Sequence, residues 1–105
     1  MRPTLVDLPQ TIRNAATVLG GSRKDYDQLL GLCARARFVC LGEASHGSHE
    51  HYRERARLTQ RLIAEQGFNG VVVEADWPDA ERASRWAQGR SGDRSASEAL
   101  AAFRR

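Results

Sequence analysis

The chain has 105 residues, enough for one small domain that buries about two-thirds of its unfolded surface if it folds alone. Its formal net charge is only +3, and arginines alternate with acidic residues, which indicates solvated helix faces and argues against a nucleic-acid-binding surface. Cys33 and Cys40 lack the spacing of a metal site or a CxxC motif and suit a reducing compartment. No apolar run is long enough for a signal peptide or a membrane span, so we expect a cytoplasmic protein without a membrane partner.

Helical periodicity recurs along most of the chain. A first helix is predicted over residues 12–19, before Gly20 and Gly21, and a second one follows Ser22. The longest helix is predicted over residues 49–66 and is closed by Gly67. Asp76 is suited to begin a further helix that ends at Gly89. Residues 90–97 are expected to form a loop, and residues 98–105 the start of another helix.

Two short apolar segments have the composition of buried strands, residues 37–41 with Phe and Val and residues 69–75 with three valines. With the long helix between them they predict a βαβ unit, with parallel strands and a right-handed crossover. The fold class is therefore expected to be α/β, with the strands flanked by helices. Since parallel sheets contain several strands, we interpret residues 1–105 as the N-terminal portion of a single larger hydrolase-type domain.

Each predicted strand has a carboxylate at its carboxyl end, Glu43 just after the first strand and Glu74 near the end of the second. His46 lies in the turn that follows the first strand. Ligands in open α/β sheets bind beyond the carboxyl ends of the strands, where these three side chains are expected to meet. An imidazole can take a proton from water at neutral pH, and a carboxylate on its other nitrogen stabilises the imidazolium that forms. The pattern favours a catalytic crevice over two unrelated helix-capping acids.

Arg55 falls within the apolar stripe of the long helix, one turn before Thr59. A buried guanidinium requires a partner, because leaving it unpaired is costly, and Glu43 or Glu74 is the expected one. The alternative is that Arg55 lies at the edge of the stripe and extends its charged end into solvent.

Other chemistries fit the motif less well. In GEASHG, Ser45 is three residues after Gly42, whereas a nucleophile elbow requires two, so Ser45 or Ser48 is interpreted as a helix N-cap. Metal binding through Glu43, His46 and further histidines is an open alternative, although no HExxH spacing is present. Glycine-rich phosphate-binding loops do not occur in the sequence.

The run LGEASHGSHEHYRERARLTQRLIAEQGFNGVVVEADWPDAERASRWAQG, residues 41–89, resembles the N-terminal signature of the erythromycin esterase family. The GE-x-[ST]-HG turn, the R-x-R helix and the VEADWPD run carry this resemblance. It implies an α/β core and hydrolysis of an ester by an activated water, with neither an acyl-enzyme nor a metal. The macrolactone of 14-membered macrolides is the substrate that the family name implies.

The resemblance also implies roles for four residues. His46 matches the family's proposed general base, while Glu43, Arg55 and Glu74 match residues that position the base, the water and the substrate. Further active-site residues of the family, including another histidine, have no counterpart in this sequence, so the 105-residue chain alone is expected to be inactive.

We therefore predict an esterase-like hydrolase that requires no cofactor and acts on a small-molecule ester, in the context of macrolide antibiotic resistance. The alternatives are a metal-dependent hydrolase with Glu43, His46 and Glu74 as ligands, or a remnant that keeps the motif without catalysis. The sequence does not indicate the oligomeric state.

Overall fold

The computed structural model describes residues 7–43 and 45–103, and the described part of the chain is built from helices and irregular segments. It forms two compact units, one extending to Asn69 and the other beginning at Gly70. Within the described residues, none of the helices has both the length and the apolar character needed to cross a membrane.

Three α-helices and a 3-10 helix make up the first unit. Helix α1 spans Leu8–Ala15, and Asp7 caps it by accepting a hydrogen bond from the backbone N–H of Gln10. The 3-10 helix Arg23–Tyr26 leads directly into α2, Asp27–Cys33, and the long helix α3 spans His49–Gln66. Helix α1 therefore begins earlier than its apolar spacing predicts and ends before Leu19, which is exposed.

The core of the first unit is a small apolar cluster between α2 and α3. Its buried side chains come from two i, i+4 pairs, Tyr26 with Leu30 and Leu58 with Leu62. Side chains three and four residues apart lie on the same face of a helix, so each pair presents one apolar patch to the other. Burying a leucine in such a cluster contributes roughly 1.5–3 kcal/mol.

Ion pairs at the edge of this cluster also join α2 to α3. The guanidinium of Arg61 lies 2.8 Å from the carboxylate of Asp27 and 2.7 Å from that of Glu65. It also donates a 2.6 Å hydrogen bond to the backbone carbonyl of Arg23, and the side chain of Arg23 pairs with Glu65 at 2.8 Å. Arg61 therefore connects three segments through one largely buried side chain.

Helix α3 has the bounds predicted from the sequence. Ser48 is its N-cap residue, and the C-cap is Gly67, whose φ of 74° lies in the left-handed region. Glycine adopts this conformation without the steric cost that a Cβ imposes, which explains why the helix ends there.

The predicted α/β fold class and its βαβ unit, by contrast, are wrong for the described residues, because none of them forms a strand. Val39 and Leu41 pack against the α2–α3 cluster, whereas Phe38 between the helices is 83% exposed. The second predicted strand, residues 69–75, is exposed throughout, and Val72 reaches 99%. The valine-rich composition indicated burial between parallel strands, but two such strands would leave both of their faces uncovered, which makes an isolated pair only marginally stable.

The second unit contains α4, Trp77–Ala87, then the short helix α5, Ala96–Ala99, and a final 3-10 helix, Ala101–Phe103. Gly89, with a φ of 67°, follows α4 as the sequence predicts. Arg82 of α4 makes a two-pronged contact with Asp93, whose side chain is only 9% exposed. This ion pair joins α4 to the connection that precedes α5, within the stretch predicted as a loop.

Candidate functional site

The turn between Leu41 and α3 positions the first two predicted site residues. His46 and Gly47 form the turn, and the φ of Gly47 is 82°, a left-handed value that glycine adopts readily. Helix α3 then begins at His49, so residues in its first two turns lie close to the side chain of Glu43.

The carboxylate of Glu43 is the centre of a cluster of polar side chains. Nδ1 of His46 lies 3.3 Å from Oε1 of Glu43, and Nη1 of Arg55 lies 3.6 Å from Oε2. One acid from the turn therefore contacts a histidine of the same turn through one oxygen and an arginine of α3 through the other. The histidine side chain is 90% exposed, so its remaining surface faces solvent.

Tyr52 is a fourth member of the cluster. Its hydroxyl donates a hydrogen bond to Oε1 of Glu43, the oxygen that His46 also approaches. Its ring lies beneath Arg55, with 5.7 Å between Cζ and the ring centroid, within the range of a cation–π contact. The helical spacing of the sequence places Tyr52 on the apolar face of α3 but does not reveal the contact that its hydroxyl makes with Glu43. The available signal was its spacing, one helical turn before Arg55 on the same face.

These contacts control the protonation of the two partners. The hydrogen bond from Tyr52 is the main cause that lowers the pKa of Glu43, and partial burial opposes it, while the positive charges of His46 and Arg55 lower the pKa further. The same hydrogen bond is the main cause that raises the pKa of Tyr52. At neutral pH the pair therefore consists of an ionised carboxylate and a protonated phenol.

Glu74, the remaining predicted site residue, lies in the second unit, within the exposed segment that precedes α4. The structure thus brings together Glu43, His46 and Arg55, three of the four residues singled out from the sequence.

The alternative predicted from the sequence is metal binding by Glu43, His46 and the histidines that follow. Across residues 7–43 and 45–103, no three His, Cys, Asp or Glu side chains are grouped so that they could hold a metal ion. His49 and His51 are exposed at the start of α3.

Comparison with known protein families was informative for the second part of the chain. Residues 63–105 match the erythromycin esterase family. The resemblance predicted from the sequence is thereby confirmed over these residues. The matched residues of this chain begin near the end of α3 and include Glu74. No solved structure matches the chain.

Proposed function

We propose that this chain contributes to the active site of an esterase of the erythromycin esterase type, in which His46 activates a water molecule. The observation that carries the proposal is the contact between Glu43 and Nδ1 of His46. A carboxylate at Nδ1 favours the tautomer in which that nitrogen bears the proton, so Nε2 presents its lone pair to solvent. This is the arrangement that a histidine general base requires.

The proposed reaction begins when Nε2 of His46 takes a proton from water as the water oxygen attacks the ester carbonyl carbon. The carbonyl π electrons move to oxygen, and Glu43 stabilises the imidazolium by its negative charge. The tetrahedral intermediate then collapses, the bond from carbon to the alkoxy oxygen breaks, and the imidazolium returns its proton to that oxygen. The products are a carboxylic acid and an alcohol, and no covalent enzyme intermediate forms.

Arg55 and Glu74 have supporting roles in this proposal. Arg55 attracts the second oxygen of Glu43 by its positive charge, which helps to keep that carboxylate ionised beside His46. Glu74 positions the water or the substrate, the role that the family resemblance implies.

The proposed substrate is a macrolactone, acted on in the cytoplasm, which would give a route to macrolide resistance. The two free cysteines, Cys33 and Cys40, agree with a reducing compartment.

The test is ester hydrolysis by an intact protein that carries this segment. His46→Asn is expected to lower kcat by about 10²–10⁴-fold without changing the fold, since asparagine cannot act as a general base at neutral pH. Glu74→Gln is also expected to reduce the rate. His49→Asn is the matched control, because His49 is an exposed histidine three residues further along the chain and outside the Glu43 cluster.

Addition of EDTA separates the proposal from the metal alternative. Activity is expected to be unchanged by the chelator if His46 activates the water. Full activity of the His46→Asn variant, or a loss with EDTA that zinc restores, would contradict the proposal.

A further inference from the structure

Tyr52 contacts Glu43, the charged partner of the proposed base, and also Arg55, which pairs with Glu43. Its hydroxyl binds Glu43, and its ring lies under Arg55. We propose that Tyr52 is a positioning residue that holds the carboxylate of Glu43 in the orientation that His46 requires. The inference rests on the proposed function, because it assigns Tyr52 a task within that site.

The distances around Glu43 support this assignment. His46 and Arg55 approach the carboxylate at 3.3 and 3.6 Å, which are ion-pair distances and longer than usual hydrogen bonds between charged groups. The hydroxyl of Tyr52, by contrast, donates a hydrogen bond to Oε1, and a hydrogen bond is directional. The orientation of Oε1 therefore depends chiefly on Tyr52, because the other two contacts tolerate rotation of the carboxylate.

The origin of each group strengthens the argument. Glu43 and His46 lie outside the helices, whereas Tyr52 lies in the first turn of α3, whose later turns are anchored by buried Leu58 and Leu62. A donor on the helix thus fixes a carboxylate on the turn. That carboxylate in turn fixes the tautomer and the orientation of the imidazole.

Substitution to phenylalanine isolates the contribution of the hydroxyl. Tyr52→Phe keeps the ring beneath Arg55 and removes only the donor to Glu43. Tyr26→Phe is the matched control, because the hydroxyl of Tyr26 also donates to a glutamate of this unit, Glu54, outside the Glu43 cluster.

The experiment is an NMR titration of the whole 105-residue chain, following the side-chain carboxyl carbon of Glu43 and the ring nitrogens of His46. In wild type, Glu43 is expected to titrate below the ordinary glutamate range. In Tyr52→Phe the midpoint of this titration is expected to rise, and the Nδ1–H tautomer of His46 is expected to lose population. Tyr26→Phe is expected to leave both signals unchanged. Wild-type chemical shifts for the α2–α3 cluster would show that Tyr52→Phe leaves the fold unchanged. If Tyr52 only supports the fold, neither the Glu43 midpoint nor the His46 tautomer is then expected to change.

An unchanged Glu43 midpoint in Tyr52→Phe, or an equal change in Tyr26→Phe, would overturn the inference. The titration requires no turnover, so it judges Tyr52 independently of the hydrolysis assay. Absence of ester hydrolysis in an intact protein would count against the proposed function and leave the positioning result intact. Where hydrolysis is measurable, Tyr52→Phe is expected to lower kcat by up to about 10²-fold with little change in KM, which is the loss that a misplacement of a reacting group by about 1 Å causes.

Discussion

The buried phenol of Tyr26 and the carboxylate of Glu54 form a second tyrosine–glutamate pair in the first unit. Glu54 also accepts hydrogen bonds from Arg53 at 2.8 Å and from Arg57 at 3.0 Å. The hydrogen bond from Tyr26 is the largest cause, and the one from Arg53 the next largest, that lowers the pKa of Glu54 to about 2. Burial, followed by the bond to Glu54, raises the pKa of Tyr26 to about 12.

These pKa values predict how the free energy of unfolding changes with pH. Because the pKa of Glu54 is lowered by folding, its contribution is complete above its ordinary pKa of 4.5 and is lost as the pH falls toward about 2. Because the pKa of Tyr26 is raised, its contribution is complete below 10 and is lost as the pH rises toward about 12.

Urea unfolding at a series of pH values checks this prediction. The acid-side loss of stability is expected to be smaller in Glu54→Gln than in wild type, and the alkaline-side loss smaller in Tyr26→Phe. Glu81→Gln is the control, since Glu81 makes a surface pair with Arg85 in the second unit, at 3.4 Å, and such pairs contribute little. If the free energy of unfolding falls equally in acid for wild type and Glu54→Gln, Glu54 does not cause the acid-side loss of stability.

At the scale of elements, the sequence predicted helices more accurately than strands. The bounds of α3 follow from local signals, namely a serine before the helix, sustained periodicity and Gly67 at its end. The segments around Phe38 and Val72 have the apolar composition of strands, but strand formation depends on a partner distant in the chain. The same limit applies to the site: the proximity of Glu43, His46 and Arg55 follows from one turn and one helix, whereas the position of Glu74 does not.

The end of α3 provides a test of a local signal at this scale. A Cβ added at Gly67 would meet no atom within 4 Å, so the cost of Gly67→Ala is conformational and comes from its φ of 74°. We expect a loss of about 1–2 kcal/mol in the free energy of unfolding. Gly31→Ala is the matched control, because Gly31 lies within α2, also has open space around it, and does not have a positive φ.

Gly31→Ala is expected to increase stability by about 0.5–1 kcal/mol, since alanine is favoured over glycine in helices. Urea unfolding of both variants measures whether each substitution raises or lowers the free energy of unfolding. If Gly67→Ala leaves the free energy of unfolding unchanged, α3 does not depend on its left-handed cap.

At the scale of the whole molecule, the exposure of His46 bears on catalysis. Active sites exclude water around the reacting groups, which strengthens their electrostatic interactions. The His46 side chain is instead 90% exposed, although its contact with Glu43 is formed. We therefore expect the 105-residue chain alone to show no hydrolysis of a 14-membered macrolide or an aryl ester. Hydrolysis above background by this chain, abolished in His46→Ala, would contradict this expectation.

Exposed apolar side chains predict that the chain self-associates in solution. The run of three valines at positions 71–73 is exposed throughout, and Trp77, four residues after the run, is exposed as well. A short uncharged segment of high β propensity that is open to solvent favours association between chains. Sedimentation velocity over a range of protein concentrations is expected to show a mean mass that rises with concentration.

Single charge insertions locate the cause of this association. Val72→Lys places a charge at the centre of the valine run and is expected to shift the distribution toward monomer. Val18→Lys is the control, because Val18 is also strongly exposed but lies outside the run, between α1 and the 3-10 helix. Equal effects of the two substitutions would attribute any change to net charge. A wild-type chain that remains monomeric at every concentration would show that the exposed valines do not drive association, because the free energy gained by burying them between chains is then smaller than the entropy lost on association.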